Sequence, residues 1–407
     1  MLNQVKTYGL IFIFFIISVN NATPQITSSP YSLFGLGSIE GTSIGANKAM
    51  GGTGIATLSG QTINLLNPAS YAGLDSLYTI FEFGFFGKYT SFNTSKNSQT
   101  LFDANFKYIA MGFRVSNRLA TSFGITPYST IGYNINILST VENSNLKYNK
   151  TFSGEGGVNQ FYIGNSYNIT KNLILGINAV YLFGTVKHSE SSESLYYSLQ
   201  DLTYLSNFNI NYGLNYKFVI NKWKYNFGLI YDNGKVLTTE NESTILTSGE
   251  TEVLRSHSKK FKIPQTFGVG FAFEKDYFRG GIDFETKKWR GIDFNNPLLE
   301  TRNSKRYSFG IEFPSLGIRK GSSSMIFYRF GAEYCGSYLI IDDIPINYRA
   351  ISFGAGIPLK GILSVINLSL ELGQNGTKKE GLFKENFCTF HVDLSLKDRW
   401  FMKRKYM

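Results

Sequence analysis

Seven charged residues fall in alternate positions on three consecutive apolar segments, and a histidine and an aspartate lie two positions apart on a fourth. Arg279, Asp283 and Glu285 oppose Phe278, Ile282 and Phe284. Arg306 and Glu312 oppose Tyr307, Phe309, Ile311 and Phe313, while Arg329 and Glu333 oppose Tyr328, Phe330 and Tyr334. His391 and Asp393 share a face of the last such segment. Successive side chains of a strand point to opposite faces, so each segment has one oily face and one charged face. Charges of both signs can pair into a network, because an unpaired buried charge costs several kcal/mol. Alternatively, Arg306 or Arg329 could orient an anionic headgroup such as a carboxylate. The balance of acids and bases favours the network.

The other chemistry-bearing residues carry no enzyme signature. His188, His257 and His391 are too widely spread for a local metal motif. The first two fall near loop ends and read as solvated surface. Beside Asp393, His391 reads as half of a structural wall pair. A barrel that cleaves lipid needs a Ser–His pair on its lipid side, the opposite face. Gly51-Gly52-Thr53-Gly54 lacks the lysine of a phosphate loop and follows no strand. Cys335 and Cys388 fall on strands that are not neighbours, whereas a disulfide needs Cα atoms within about 7 Å. We therefore expect no enzyme, cofactor or metal. The net charge of +11 is scattered through turns and loops, and reads as attraction to anionic lipid or lipopolysaccharide headgroups. Export removes nucleic acid as a partner.

The elements that must position these charges are strands. Residues 1–22 read as a signal peptide: Lys6 precedes an apolar run from Tyr8 to Val19, too short to span a bilayer as a helix. Alternating segments then follow at 76–89, 102–114, 119–133, 156–169, 173–188, 205–220 and 223–238. They continue at 256–273, 277–292, 303–313, 325–335, 346–357, 361–373 and 385–397. Aromatics make up 16% and charged residues only 17%, against a soluble norm of about 25%. Short turns, such as Ser116-Asn117-Arg118, Thr170-Lys171-Asn172 and Asn221-Lys222, alternate with long polar connectors such as 134–155, 189–204 and 239–255. That alternation predicts an all-β transmembrane antiparallel barrel of about 14 strands, with 12 to 16 defensible. The barrel takes residues 76–397, both termini are periplasmic, and 398–407 form a short basic extension. Charges cannot face lipid near its midplane, so the charged faces line the lumen.

Residues 23–75 lack the alternation and are rich in Gly, Ser, Thr and Asn. A barrel of this size leaves a lumen too wide for side chains to fill, so this segment is expected to plug it. It contains Leu65-Leu66-Asn67-Pro68-Ala69-Ser70. Here the chain resembles the FadL family of long-chain fatty acid and hydrocarbon transporters, which carry an Asn-Pro-Ala motif in an N-terminal hatch inside a 14-stranded barrel. Ser29 to Gly37 and the tail Asp398-Arg399-Trp400-Phe401 also look like outer-membrane proteins of Bacteroidetes-type bacteria. The transporters end on an aromatic residue, whereas this chain runs on into Lys403-Arg404-Lys405-Tyr406-Met407.

The resemblance implies an outer-membrane channel for hydrophobic small molecules, with Asn67, Pro68 and Ala69 beside the route. A strand kink near the plug would open that route sideways, and Gly112, Gly124 and Gly132 are candidates for it. The family also holds non-transporters, including a shuttle component of type IX secretion. The alternative is therefore a scaffold barrel in a secretion or barrel-assembly complex. Expected partners are lipid and lipopolysaccharide, a hydrophobic ligand, or proteins of an envelope complex.

Overall fold

The computed structural model describes residues 29–400 apart from 96, 141–144, 146, 248–249, 257–260, 293–298, 316–324 and 360–362. The signal peptide, His257, most of 313–324 and the basic tail from 401 onward lie outside the described residues.

Fourteen strands form one closed antiparallel ring. They are β1 (Tyr78–Asn93), β2 (Ser98–Arg114), β3 (Leu119–Thr140), β4 (Lys147–Asn168), β5 (Leu173–Ser192) and β6 (Tyr197–Ile220). β7 runs Trp223–Asp232 and resumes as Lys235–Thr247; β8 comprises Glu250–Ser256, Phe261–Ile263 and Gln265–Lys275. β9 is Phe278–Lys288, β10 is Leu299–Thr301 with Ser304–Pro314, and β11 is Phe327–Ile341. β12 (Ile344–Pro358), β13 (Val365–Gly376) and β14 (Lys384–Arg399) complete the set. β14 pairs with β1 from Lys384↔Asn93 to Arg399↔Tyr78, which removes both sheet edges.

The breaks in β7 and β8 face each other and have local causes. Gly234 takes a left-handed φ of 69° with its N–H bonded to Asp232 Oδ1, and Pro264 has no N–H to give the ladder.

Alternation puts aromatics on the outer wall. Tyr181 packs on Phe208 at 4.7 Å, Phe227 on Phe271 at 5.0 Å, and Phe218 on Tyr225 at 5.3 Å between ring centroids. Such a continuous exposed apolar belt belongs in lipid rather than water. No helix among the described residues is long and apolar enough to cross a membrane, so the crossing is made by strands.

The long polar connectors are a correction. Much of 134–155, 189–204 and 239–255 is not loop but the upper arms of tall hairpins. β3 and β4 stay paired up to Thr140↔Lys147, and β5 and β6 up to Ser192↔Tyr197. Above the membrane both strand faces meet water, so polar residues replace the oily alternation while the backbone ladder persists.

Candidate functional site

Residues 29–74 are largely buried against the inner wall and form short 3₁₀ turns joined by extended chain. The turns are Pro30–Leu33, Gly45–Met50 and Pro68–Gly73. Their interior is held by asparagines, whose side chains stand in for absent backbone ladders. Asn47 Nδ2 donates to Asn64 Oδ1 at 3.0 Å, and Asn64 Nδ2 donates to the carbonyls of Gly54 and Thr57 at 2.7 and 3.0 Å.

Asn67 is fully buried and caps the third turn, its Oδ1 accepting from Ala69 N–H at 2.9 Å. Pro68 follows at the first helical position, where a missing N–H costs nothing. Asn67 Nδ2 also donates to Ile55 O at 2.7 Å and across to Leu214 O on β6 at 3.1 Å. Gly213 makes this approach possible, since a Cβ there would stand 2.0 Å from Asn67 Oδ1. The structure thus places Asn67, Pro68 and Ala69 as a latch between segment and wall.

A second latch is made by β9, β10 and β12. Asp283 Oδ2 on β9 accepts from the amides of Gly54 and Ile55 at 2.6 and 2.9 Å. Arg306 on β10 donates from Nε to Glu333 Oε1 at 2.7 Å and from Nη2 to Gly52 O at 2.8 Å. Ser352 on β12 donates to Ala49 O and accepts from Gly51 N. The glycines of 51–54 are therefore a docking strip. Gly331 keeps the wall flat beneath it, a Cβ there falling 2.0 Å from Gly51 N. On β1, Glu82 accepts from Ile63 N at 3.0 Å and from Ser395 Oγ at 2.7 Å.

The remaining wall residues pair among themselves. Glu312 accepts from Arg279 Nη2 at 2.9 Å, lies 2.8 Å from Arg279 Nε, and accepts from Arg329 Nε at 2.5 Å. Arg329 Nη1 continues to Asn367 at 2.7 Å. Glu285 lies 3.4 Å from Lys287. Both arginines considered for an anionic headgroup are thus occupied by carboxylates.

His391 and Asp393 are both buried on β14 but have different neighbours. His391 Nε2 lies 4.0 Å from Glu371, and Asp393 faces Tyr108 and the Gly45 amide. His188 is half-buried, its Nδ1 2.7 Å from the Tyr133 hydroxyl. Among the described residues no group of three or more His, Cys, Asp or Glu could hold a metal ion.

Between segment and wall remains a chamber of about 310 Å³. Its lining mixes charged residues, among them Glu40, Lys48, Lys107 and Glu371, with apolar ones such as Leu66, Phe86 and Trp289. Lys48 lies 3.5 Å from Glu371. Burial works against its charge, but Glu371 and Glu333 hold the Lys48 ammonium above its ordinary range. None of Glu40, Lys48, Lys107 and Glu371 stood out in the sequence.

Among the described residues the wall has a weak seam between β2 and β3. β2 pairs with β3 only from Arg114↔Ala120 to Ile109↔Ile125, although both strands continue well beyond. Bulges on each strand cause the parting: Lys107 is the extra residue against Gly84/Phe85, and Tyr128 is extra between Pro127 and Ser129. The kink lies on the two expected strands, but at Lys107 and Tyr128 rather than at Gly112, Gly124 or Gly132.

The N-terminal segment enters the gap. Ser38 and Ile39 pair antiparallel with Thr130 and Ser129, and Glu40 N–H bonds Tyr128 O at 2.9 Å. Bulging turns Lys107 inward, where its ammonium meets the Glu40 carboxylate. Burial alone would raise the Glu40 carboxyl, but Lys107 beside it brings it down to about 2.

Comparison with solved structures finds the same fold in aromatic-hydrocarbon channels. The Pseudomonas putida toluene transporter TodX aligns with a TM-score of 0.59 at 14% identity, over 89% of this chain and 100% of its own. The Ralstonia pickettii toluene transporter TbuX gives 0.58 at 15%, over 89% and 99%. The monoaromatic hydrocarbon channel CymD gives 0.53 at 14%, over 90% and 99%. No curated protein matches the chain. Closed ring, oily belt and these likenesses together make it an outer-membrane β-barrel. The BamG family profile matches residues 2–407, nearly the whole sequence, and the chain belongs to the BamG family.

Proposed function

We propose that this chain is a sealed outer-membrane barrel that works as an interaction subunit of a secretion or barrel-assembly complex. The observation that carries this reading is the double latch. Asp283 and Arg306 grip residues 52–55 from β9 and β10, and Asn67 ties Ile55 O to Leu214 O on β6. Buried, charge-assisted bonds of this kind cost about 1.5–3 kcal/mol each to break, so the segment is a fixed filling rather than a loose gate. Arg399 ends β14 beside the short turns, opposite Tyr78, whereas Ser29 lies at the long-hairpin end, where its N–H donates to Gly132 O.

The test joins two measurements. Outer membranes solubilised in mild detergent yield the tagged chain together with stoichiometric outer-membrane partners, and its depletion lowers the amounts of other assembled barrels. Liposomes holding the purified chain take up labelled fatty acid and toluene no faster than empty ones. Recovery of the chain alone, with rapid uptake, refutes the reading.

The β2–β3 seam favours a second reading: FadL-type passage of hydrophobic molecules sideways into lipid. The route would run past Asn67-Pro68-Ala69 and leave where Ser38 to Glu40 now stand. The chamber's mixed charged and apolar lining suits an amphiphile with a polar head better than a bare hydrocarbon. Uptake that rises when the Glu40–Lys107 bridge is removed would support it.

A further inference from the structure

Above Ile109 and Ile125 the two seam strands diverge. Among the described residues, the β2 edge facing β3 has no strand partner from Ser98 to Tyr108, although the Phe106 N–H is taken by Asn105 Oδ1, whereas the β3 edge is met by the N-terminal segment from Tyr128 to Gly132. The upper seam widens into a cleft of about 850 Å³. Gln99 and Leu101 form one wall, Asn134 and Asn136 the other, and Pro30 and Phe383 the floor. At about 3.3 Å per residue, the free edge from Ser98 to Phe106 runs on the order of 30 Å.

A strand edge offers N–H donors and C=O acceptors at a fixed spacing, and only another extended backbone satisfies that series. A hydrocarbon would satisfy none of it. The opposite edge already uses this solution: Ser38 and Ile39 add to β3 in antiparallel register at the foot of the same opening. The cleft is continuous with that pairing, and its Asn97, Gln99, Asn134 and Asn136 amides, beside Glu155 and Lys187 that neutralise each other at 3.0 Å, match an uncharged polar chain.

We propose that the upper β2–β3 cleft is a strand-docking site, which takes an extended, uncharged polar segment of a protein partner onto the free edge of β2. The proposal rests on the interaction-subunit reading and gives that reading an address.

The test places a photo-crosslinking amino acid at Gln99 or at Leu101 in the otherwise unchanged full-length chain, with Phe208 on the lipid face as control. The expected result is one protein partner crosslinked from both cleft positions and not from Phe208. The crosslinked residue on the partner shifts by about two positions, in the opposite chain direction, when the probe moves from 99 to 101. In a second arm, Gln99→Cys and Asn136→Cys are joined by a bifunctional maleimide, which abolishes recovery of that partner while each singly labelled variant retains it.

Crosslinks only to lipopolysaccharide, or only to this chain's own residues before Ser29, overturn the proposal. So does unchanged partner recovery with the cleft bridged. In those cases a recovered partner still leaves the interaction-subunit reading standing. If no partner is recovered from the unmodified chain, that reading falls as well.

Discussion

Replacing Asp283 by alanine tests the latch at its most concentrated point. One carboxylate oxygen there holds two consecutive amides, Gly54 and Ile55, at 2.6 and 2.9 Å in a buried setting. Two charge-assisted bonds at about 1.5–3 kcal/mol each give about 3–6 kcal/mol. Water entering the vacated space returns part of this, so the loss lands near the lower end, at about 3 kcal/mol. At about 1.4 kcal/mol per tenfold, the fraction of barrels with residues 50–56 detached rises roughly a hundredfold. A 14-stranded lumen without its filling is an open pore. Single-channel recording in planar bilayers therefore shows bursts of conductance for Asp283→Ala where the unaltered barrel is silent. Asp283→Asn keeps one neutral acceptor oxygen and falls between them. Heat-modifiable migration on gels checks that the ring itself still folds. A folded Asp283→Ala barrel that stays as silent and protease-resistant as the parent would falsify the latch.

Three further outcomes follow from the same contacts. Glu312→Gln leaves Arg279 and Arg329 without their shared carboxylate, and should lower stability by about 3–5 kcal/mol in urea unfolding from lipid vesicles; a change under about 1 kcal/mol contradicts the pairing. Gly213→Ala drives a methyl toward Asn67 Oδ1 and should cut the folded yield. Adding Asn67→Ala should restore part of it, and no restoration means the close approach is not the cause. The Glu40–Lys107 bridge should be sensitive to acid. The Glu40 carboxyl is lowered from 4.5 to about 2, so its stabilisation is complete above about pH 4.5 and fades as pH falls toward 2. An environment-sensitive dye attached to Ser38→Cys should report release across that window, and Lys107→Met should report release already at neutral pH. A dye signal flat with pH in both chains contradicts the bridge.

The fold was legible because lipid enforces it. An outer face that tolerates only apolar side chains imposes a two-residue period, and Phe278–Arg279 or Phe309–Gly310 carry that period whatever the inner face does. Above the membrane the constraint lapses, so the arms around Asn136 and Thr203 look like loop although they are paired strand. The wall charges on β9 to β11 were visible for the same reason as the strands. Their partners were not. Asp283 is satisfied by two backbone amides about 230 residues earlier in the chain, and no spacing rule links them. Lys107 escaped because its bulge shifts the period by one residue, turning a position that alternation sends outward into the lumen. Glu40 and Lys48 lie in the segment without periodicity, where contacts alone decide which polar residues are buried.

The central claim is that this barrel is closed and acts through partners. It is tested most directly by purifying the tagged chain from mildly solubilised outer membranes, measuring co-purifying proteins by quantitative mass spectrometry, and assaying the same preparation for fatty acid and toluene uptake in liposomes. The account predicts constant, near-stoichiometric outer-membrane partners and uptake equal to that of empty liposomes. A chain recovered alone, with uptake well above the empty control, would contradict it.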